Sequence, residues 1–412
     1  MAERSTVDAI FIVRQLQEKY QEKKKRLYHI FVDLEKAFDR VPRRAIAWAL
    51  RRHRVPERLV ALIMDLYVGS RSRVAVAGVS SDDFEIGVGV HQGSALSPLL
   101  FILVMNEATK ECCLGDPWEL LYADDLVLTA ETKEEVERKF TDWKLAMERR
   151  GLKVNIGKTK IMVTGKEEVE RMQSGRFPCG VCGTGVGVNS ILCTVCDKWC
   201  HKRCSNLRTL NRVSSFCCPA CTRGRNGTDI LENESVVMEN GIVEEVPNFC
   251  YLGDFLDRDG GADRAVRASV AAAWNKWREI SGLLVNKGIP LKVRASTYSA
   301  CIRPVMLYGA EVWSLTSRME DVLVCCDRRM LRYMAGVTLR DRISSEEVAR
   351  RCDVVKLGVQ MRRRRLRWFG HVQRRDMDSA LGRIVQIEAE GRRPRGRPRK
   401  TWRRCIQEDL ES

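Results

Sequence analysis

The sequence predicts an α+β protein: a sheet flanked by helices, a small metal-bound module set into it, and a helical, basic second half. Three observations carry that prediction. Leu121-Tyr122-Ala123-Asp124-Asp125-Leu126-Val127-Leu128 places two carboxylates between apolar runs, the pattern of a β-hairpin with an acidic tight turn. A second apolar strand, His29-Ile30-Phe31-Val32, runs directly into Asp33. Nine of the 17 cysteines crowd between residues 179 and 221, interrupting strand and helix patterns that resume afterwards.

At 412 residues and 44% hydrophobic, the chain can bury two or three domain cores. Its formal charge of +17 points to a polyanion, nucleic acid before an anionic membrane. No run of 18 apolar residues occurs, and Met1-Ala2-Glu3-Arg4-Ser5 opens no signal peptide. The expectation is a protein of the reducing cell interior, with no membrane partner. There the crowded cysteines suit metal rather than disulfides.

Residues 7–24 show helical apolar spacing with a basic end, and a strand follows at about 28–34. Residues 43–68 read as two helices, Pro56 opening the second. Residues 73–90 alternate like strands. His91-Gln92-Gly93-Ser94 is a turn before an apolar helix from Leu99 to about Glu111. The acidic hairpin comes next, then an amphipathic helix over 132–150 and a strand ending at Val163. Residues 166–178 and 222–240 are polar and flank the cysteines. A strand pattern returns at Val246, and residues 262–380 are mostly helical. Residues 391–400 carry no core residues and read as an extended segment.

If the two acidic strands lie side by side, Asp33, Asp124 and Asp125 converge. Like charges that close repel unless cations separate them. Clustered carboxylates suit Mg²⁺, which binds through one or two of them plus substrate phosphates. Two such ions can serve the attacking and leaving oxygens of phosphoryl transfer.

Five segments in order resemble the reverse transcriptase of non-LTR (LINE-type) retrotransposons. Phe31-Val32-Asp33-Leu34-Glu35-Lys36-Ala37-Phe38-Asp39 resembles motif A, and Gln92-Gly93-Ser94-Ala95-Leu96-Ser97-Pro98 motif B. Tyr122-Ala123-Asp124-Asp125 resembles motif C. Gly151-Leu152-Lys153-Val154-Asn155 with Lys158 resembles motif D, and Phe249-Cys250-Tyr251-Leu252-Gly253 the motif E region. The resemblance covers residues 5–165 and 245–375. It implies a right-hand polymerase palm with a helical thumb, acting as an RNA-directed DNA polymerase on RNA template, DNA primer and dNTPs. Asp33 and Asp124 would hold two Mg²⁺, with Mn²⁺ as a substitute, and Asp125 would add charge. Phe38 stands where the family carries an aromatic gate against the 2′-hydroxyl; a plain core aromatic is the other reading. Gln92 and Gly93 would flank the templating base and incoming nucleotide, or simply open a helix. Lys158 would neutralise departing pyrophosphate, or be a solvated lysine. Phe249, Tyr251 and Gly253 would position the primer. About 28 residues precede motif A, where the family carries its fingers. The resemblance therefore implies weak or no polymerase activity for this chain. The alternative is a catalytically dead remnant acting as a zinc-dependent chromatin or nucleic-acid binding protein.

The insertion reads Cys179-x2-Cys182, Cys193-x2-Cys196, His201-x2-Cys204 and Cys218-x2-Cys221, eight ligands in four pairs that fit two tetrahedral Zn²⁺ sites. The order of four cysteines, a histidine and three cysteines, with Trp199 two residues before His201, resembles a PHD finger. The resemblance implies interleaved sites: Cys179, Cys182, His201 and Cys204 on one zinc, Cys193, Cys196, Cys218 and Cys221 on the other. Cys200 would be a bystander. No aromatic lies between Gly183 and Leu192 to partner Trp199 in a methyl-lysine cage. A structural or nucleic-acid-tethering finger is favoured over a reader of histone tails.

Arg362-Arg363-Arg364-Arg365 implies an anion nearby, because four adjacent guanidinium groups repel. Arg392-Arg393-Pro394-Arg395-Gly396-Arg397-Pro398-Arg399-Lys400 resembles an AT-hook. Arg395, Gly396, Arg397 and Pro398 would then enter an A·T-rich minor groove. A nonspecific phosphate-binding tail is the equal alternative. The expected organisation is a palm over 1–165, a PHD-like insertion over 166–240, the end of the palm over 241–262, a thumb over 263–380 and a basic tail over 381–412. The expected location is the nucleus, with the cytoplasm second.

Overall fold

The structure, a computed structural model, describes residues 5–76, 78–110, 118–165, 179, 181, 190–192, 199–205, 219, 235–238, 241–391, 393 and 398–411. The chain divides into two compact units: Lys166–Ser235, and Met1–Gly165 together with Val236–Ser412.

In the larger unit α1 (Thr6–Glu22) starts at a capping box between Ser5 and Asp8. Ile10, Phe11, Val13 and Leu16 have no exposed surface, so this helix is buried around most of its circumference. A turn leads to β1 (Leu27–Val32) and then to short α2 (Ala37–Arg40), α3 (Arg43–Arg52) and α4 (Glu57–Asp65), the last opened by Pro56. Residues 71–85 form two ribbons, β2 (Arg71–Ser72) with β5 (Phe84–Glu85) and β3 (Ala75–Val76) with β4 (Val79–Ser80). These strands are two residues each and largely exposed, so the predicted strand run is much shorter than its alternation suggested. Then come α5 (Ser97–Thr109), β6 (Glu119–Tyr122), β7 (Asp125–Ala130), α6 (Lys133–Arg149) and β8 (Lys160–Thr164).

The smaller unit contributes β9 (Ser190–Leu192) paired with β10 (Trp199–His201), and a turn of helix, α7 (Lys202–Ser205). The chain returns to the larger unit with β11 (Ser235–Met238) and β12 (Gly241–Glu245). The insertion is therefore shorter than the 166–240 read from composition. The central sheet runs β11-β12-β8-β1-β7-β6. It is antiparallel as expected at β8-β1-β7-β6, but β12 pairs parallel to β8, and Lys160 reaches Glu244 at 2.7 Å.

Period-two alternation splits the sheet into two faces. Ile30, Val32, Leu126, Leu128 and Ile161 pack with α3, α5 and α6 side chains such as Ile46, Phe101 and Trp143. Leu27, Phe31, Val127 and Met162 pack with α1 and the C-terminal helices. A hairpin, β13 (Asn248–Tyr251) and β14 (Asp254–Asp257), bridges to those helices: α8 (Asp263–Leu284), α9 (Leu291–Cys301), α10 (Arg303–Met306), α11 (Ser317–Ala335), α12 (Ser345–Arg351), α13 (Leu357–Gln373), α14 (Ala380–Gln386) and α15 (Trp402–Glu411). None of the described helices is long and apolar enough to cross a membrane.

Two expectations for the basic end change. The arginine run of α13 finds its anions inside the protein. Arg365 donates to Asp409 at 2.5 and 3.0 Å and to Glu320 at 3.1 Å, Arg362 lies 3.6 Å from Asp409, and Arg364 bonds the Leu307 carbonyl at 2.6 Å. Only Arg363 and Arg367 of this cluster are well exposed. Residues beyond 380 are not a free tail either. The Trp402 ring packs 4.8 Å from Phe11, its indole N–H donates to the Glu311 carbonyl at 2.8 Å, and Lys19 Nζ caps the last carbonyls of α14. Apolar anchors spaced along a basic sequence dock it, which its average composition conceals.

One buried ion pair joins these parts. Arg14 on α1 donates through Nε and Nη2 to Asp254 Oδ2 at 3.0 and 2.9 Å, and through Nη2 to the Phe255 carbonyl at 2.8 Å. The Trp313 indole N–H donates to the same carboxylate oxygen at 3.1 Å. Both charged side chains are at most 5% exposed. Removing one partner of such a pair leaves an uncompensated buried charge. Arg14→Met is therefore expected to lower unfolding free energy by about 3–5 kcal/mol, measured by urea denaturation, with Arg14→Met/Asp254→Asn less damaging than Arg14→Met alone. An unchanged midpoint would show that the pair does not hold the unit together.

Candidate active site

β1 and β7 pair as Val32↔Leu126 and Phe31↔Val127. One step further along that register sets Asp33 across from Asp125. Both continue the face of Phe31 and Val127, because side chains alternate along a strand. The β6–β7 turn consists of Ala123 and Asp124, with Tyr122 paired to Asp125. Ala123 has φ +56°, a conformation that costs an L-residue of order 1–3 kcal/mol and marks a strained turn beside the carboxylates.

Burial pushes the Asp125 carboxyl up to about 6, and the neighbouring Asp124 and Asp33 push in the same direction. Asp33 is also raised, chiefly by burial and further by Asp124, while Lys158 and the Asn155 amide pull it back. Lys158 Nζ stands 3.8 Å from Asp33 Oδ2, an oxygen shielded from solvent that accepts no hydrogen bond. Three crowded carboxylates with an unsatisfied oxygen form a donor set that fits divalent cations. Asp33 and Asp125 open into a recess of about 220 Å³ that is also walled by Phe31, Lys158, Phe249 and Tyr251.

The loop before β8 wraps around Asp33. The Asn155 N–H donates to the Asp33 carbonyl at 2.8 Å, the Asp33 N–H reaches Thr159 Oγ1 at 3.4 Å, and Leu34 bridges to Val154. Asn155 belongs to the motif D segment, and only the fold sets it beside the Asp33 carboxylate. On the other wall the Phe249 ring stacks on Phe31 at 4.2 Å. Tyr251 departs from its expected nucleic-acid contact. It is 2% exposed, packs 5.7 Å from Phe31, and burial pushes its phenol up. It supports the strand from within, because β13 turns that side chain toward the core. Gly253, at φ +82°, completes with Leu252 at φ +48° the two-residue β13–β14 turn, where paired positive φ angles match strand twist.

Phe38 stacks on Phe101 of α5 at 4.5 Å and is half-buried, so it has a packing role. Gln92 and Gly93 are exposed at the turn before α5. That turn hangs from the segment after Asp33. Gly89 N–H donates to the Val41 carbonyl at 2.8 Å, Val90 N–H to the Phe38 carbonyl at 2.9 Å, and Gln92 Nε2 to Asp39 Oδ1 at 2.6 Å. A Cβ on Gly89 would sit 2.5 Å from the Asp39 carbonyl oxygen, so this approach demands glycine. Asp39 was legible only as the last letter of its motif; its grip on Gln92 needs the fold.

In the smaller unit Cys179, His201 and Cys204 offer ligand atoms within 4.8 Å of one another. Cys200 is fully buried on the intervening position of β10. Cys182, Cys193, Cys196, Cys218 and Cys221 lie outside the described residues, as do Arg395, Gly396 and Arg397; Pro398 is described and exposed.

Residues 1–202 match the family model of reverse transcriptase (RNA-dependent DNA polymerase). The chain is 32% identical over 161 residues to a Pol polyprotein of the R2 retrotransposable element of Nasonia vitripennis, covering 36% of this chain and 16% of that one. It is 21% identical over 408 residues to the RNA-directed DNA polymerase of the mobile element jockey of Drosophila funebris, covering 94% of this chain and 37% of that one. Among solved structures, a telomerase of Candida tropicalis with a TWJ fragment of telomeric RNA gives a TM-score of 0.34 at 14% identity, over 84% of this chain and 52% of that one.

The contact between Asp39 and Gln92 yields a stability expectation. Asp39→Ala should cost about 0.5–1.5 kcal/mol in urea denaturation, the loss of one hydrogen bond, while Asp39→Asn, which keeps the acceptor, stays near wild type. Equal stability of the two variants would show that Asp39 does not hold the turn. The acidic strand ends and the sequence matches point the same way: residues 1–202 match the reverse transcriptase family model, and the chain is similar to parts of the R2 and jockey mobile-element proteins.

Proposed function

We propose that this chain acts as the RNA-directed DNA polymerase part of a non-LTR retrotransposon protein, adding dNTPs to a primer 3′-hydroxyl on an RNA template. The observation that carries the reading is the meeting of Asp33, Asp124 and Asp125 at one end of β1 and β7, with Lys158 and Phe249 on the walls. Asp33 and Asp124 would hold the divalent ions, Mg²⁺ or Mn²⁺. When bound, those ions supply a more nucleophilic 3′-oxygen and charge neutralisation at the phosphates. Asp125 adds negative charge that favours cation binding. Lys158 sets a cation where negative charge develops on leaving pyrophosphate. Phe38 presents an edge against the sugar, and Gln92 and Gly93 border the nucleotide. Phe249 and the Gly253 turn support the primer, resting on buried Tyr251.

Primer extension on poly(rA)/oligo(dT) with Mg²⁺ or Mn²⁺ tests this. Asp124→Asn is expected to reduce extension by at least about a hundredfold, as loss of a charged contact in a two-ion site should. Extension by the wild type that survives the substitution would overturn the assignment of Asp124.

A second activity rests on the cluster of Cys179, His201 and Cys204. We propose that these residues, with Cys182, hold Zn²⁺, and that the remaining four cysteines hold a second ion. The zinc would order a module that tethers nucleic acid or chromatin in the nucleus; a histone tail is the less favoured ligand. Cys204→Ser should lower bound zinc from two to one per chain by metal analysis, since thiolate loss opens one tetrahedron. An unchanged zinc content would exclude Cys204 as a ligand.

A further inference from the structure

We propose a second nucleic-acid surface, for duplex DNA, at the end of the palm away from the carboxylates. It consists of the turn between α1 and β1, Lys23, Lys24, Lys25 and Arg26, together with Arg393 and Arg399 of the C-terminal segment docked beside it. The palm's role as a polymerase is not a premise of this surface.

The segment after α14 is held against the turn at several points. A Cβ on Gly391 would touch Lys23 Cβ and Lys25 Cε at 3.9 Å. Arg393 pairs with Glu22 at 3.3 Å. Arg399 Nη1 donates to Gln21 Oε1 at 3.1 Å and to the Asp259 carbonyl at 2.8 Å. The charge is not balanced locally. Lys25 lies 3.9 Å from Glu131 and 3.8 Å from Glu390. Arg399 meets only neutral acceptors, and Lys23, Lys24 and Arg26 make no ion pair among the described residues. By contrast, Arg362, Arg364 and Arg365 of α13 pair with Asp409, Glu311 and Glu320.

The turn has a Schellman-type close. Lys24 N–H donates to the Gln21 carbonyl at 3.1 Å and Lys25 N–H to the Tyr20 carbonyl at 2.9 Å. Lys24 takes φ +55° there, where glycine is the least strained choice, so a cation occupies a position that local geometry would give to glycine. Lysines at a helix C-terminus also answer its dipole, but that role does not require one at the left-handed position.

β1 separates this surface from Asp33 by six residues, about 20 Å of extended chain. DNA bound here would therefore not occupy the recess at the carboxylates. Duplex DNA is favoured over duplex RNA by the neighbouring sequence, Arg393-Pro394-Arg395-Gly396-Arg397-Pro398, whose composition suits a narrow minor groove rather than the wide, shallow one of A-form RNA.

The test uses the full chain and a Lys23→Gln/Lys24→Gly/Arg26→Gln variant, measuring anisotropy with a blunt 30-base-pair DNA duplex across a salt series. The variant should bind about tenfold or more weakly, with a log–log salt slope smaller by about 2–3. Its melting temperature should equal or exceed wild type, because Lys24→Gly relieves the left-handed residue. Extension of pre-annealed primer should be unchanged. Wild-type affinity and slope in the variant would overturn the surface. Equal weakening on an RNA duplex would overturn the choice of DNA, and a parallel loss of primer extension would overturn its separateness. Duplex binding is read without polymerase activity, so a failure of the polymerase reading and a failure of this proposal are distinguishable.

Discussion

The buried contact of Arg14 with Asp254 is the constraint on which the larger unit depends. α1 lies under the sheet face that carries Phe31 and Val127, and Asp254 begins the second strand of the β13–β14 hairpin. With Trp313 donating to the same carboxylate, one charge pair fixes an N-terminal helix, a mid-chain hairpin and the C-terminal helices together. Desolvating both charges is costly, so the pair is a poor source of net stability but a strong selector of one arrangement. That arrangement sets Phe249 on Phe31, and hence the wall of the recess beside Asp33.

Electrostatics are distributed unevenly over the molecule. At the carboxylate end, three acidic groups crowd together, and burial and mutual repulsion push Asp125 up to about 6. At the other end of β1, Lys23, Lys24 and Arg26 make no ion pair among the described residues, while Lys25 and Arg393 meet carboxylates. Arg365 of α13, 4% exposed at its side chain, is turned inward as a structural tie to α15. A formal charge of +17 therefore says little about where a polyanion binds until internal pairs are subtracted.

Tyr251, the arginine run of α13 and the chain beyond 380 share one lesson: Tyr251 is 2% exposed, Arg365 meets its anions in Asp409 and Glu320, and Trp402 packs on Phe11. Each depended on which side of an element a residue occupies, or on partners far away in sequence. Arg365 and Asp409 are 44 residues apart, and Lys19 lies 365 residues from Ile384. No local pattern encodes such pairings. Trp402, just beyond the polar stretch 391–400, is 5% exposed and packs on Phe11.

The sequence by itself determined the strands and helices whose apolar periodicity is strong, the two strand ends that carry aspartates, the crowding of the cysteines and the order of the polymerase-like motifs. These are local properties: alternation, turn chemistry and ligand spacing act within a few residues. Tertiary structure alone decided that β1 pairs with β7 in the register that sets Asp33 across from Asp125, that Asn155 and Lys158 close over them, and that Asp39 holds Gln92. It also decided which cations remain free. Those outcomes follow from packing and charge pairing between segments up to hundreds of residues apart, where a side chain's partner is chosen by the whole fold.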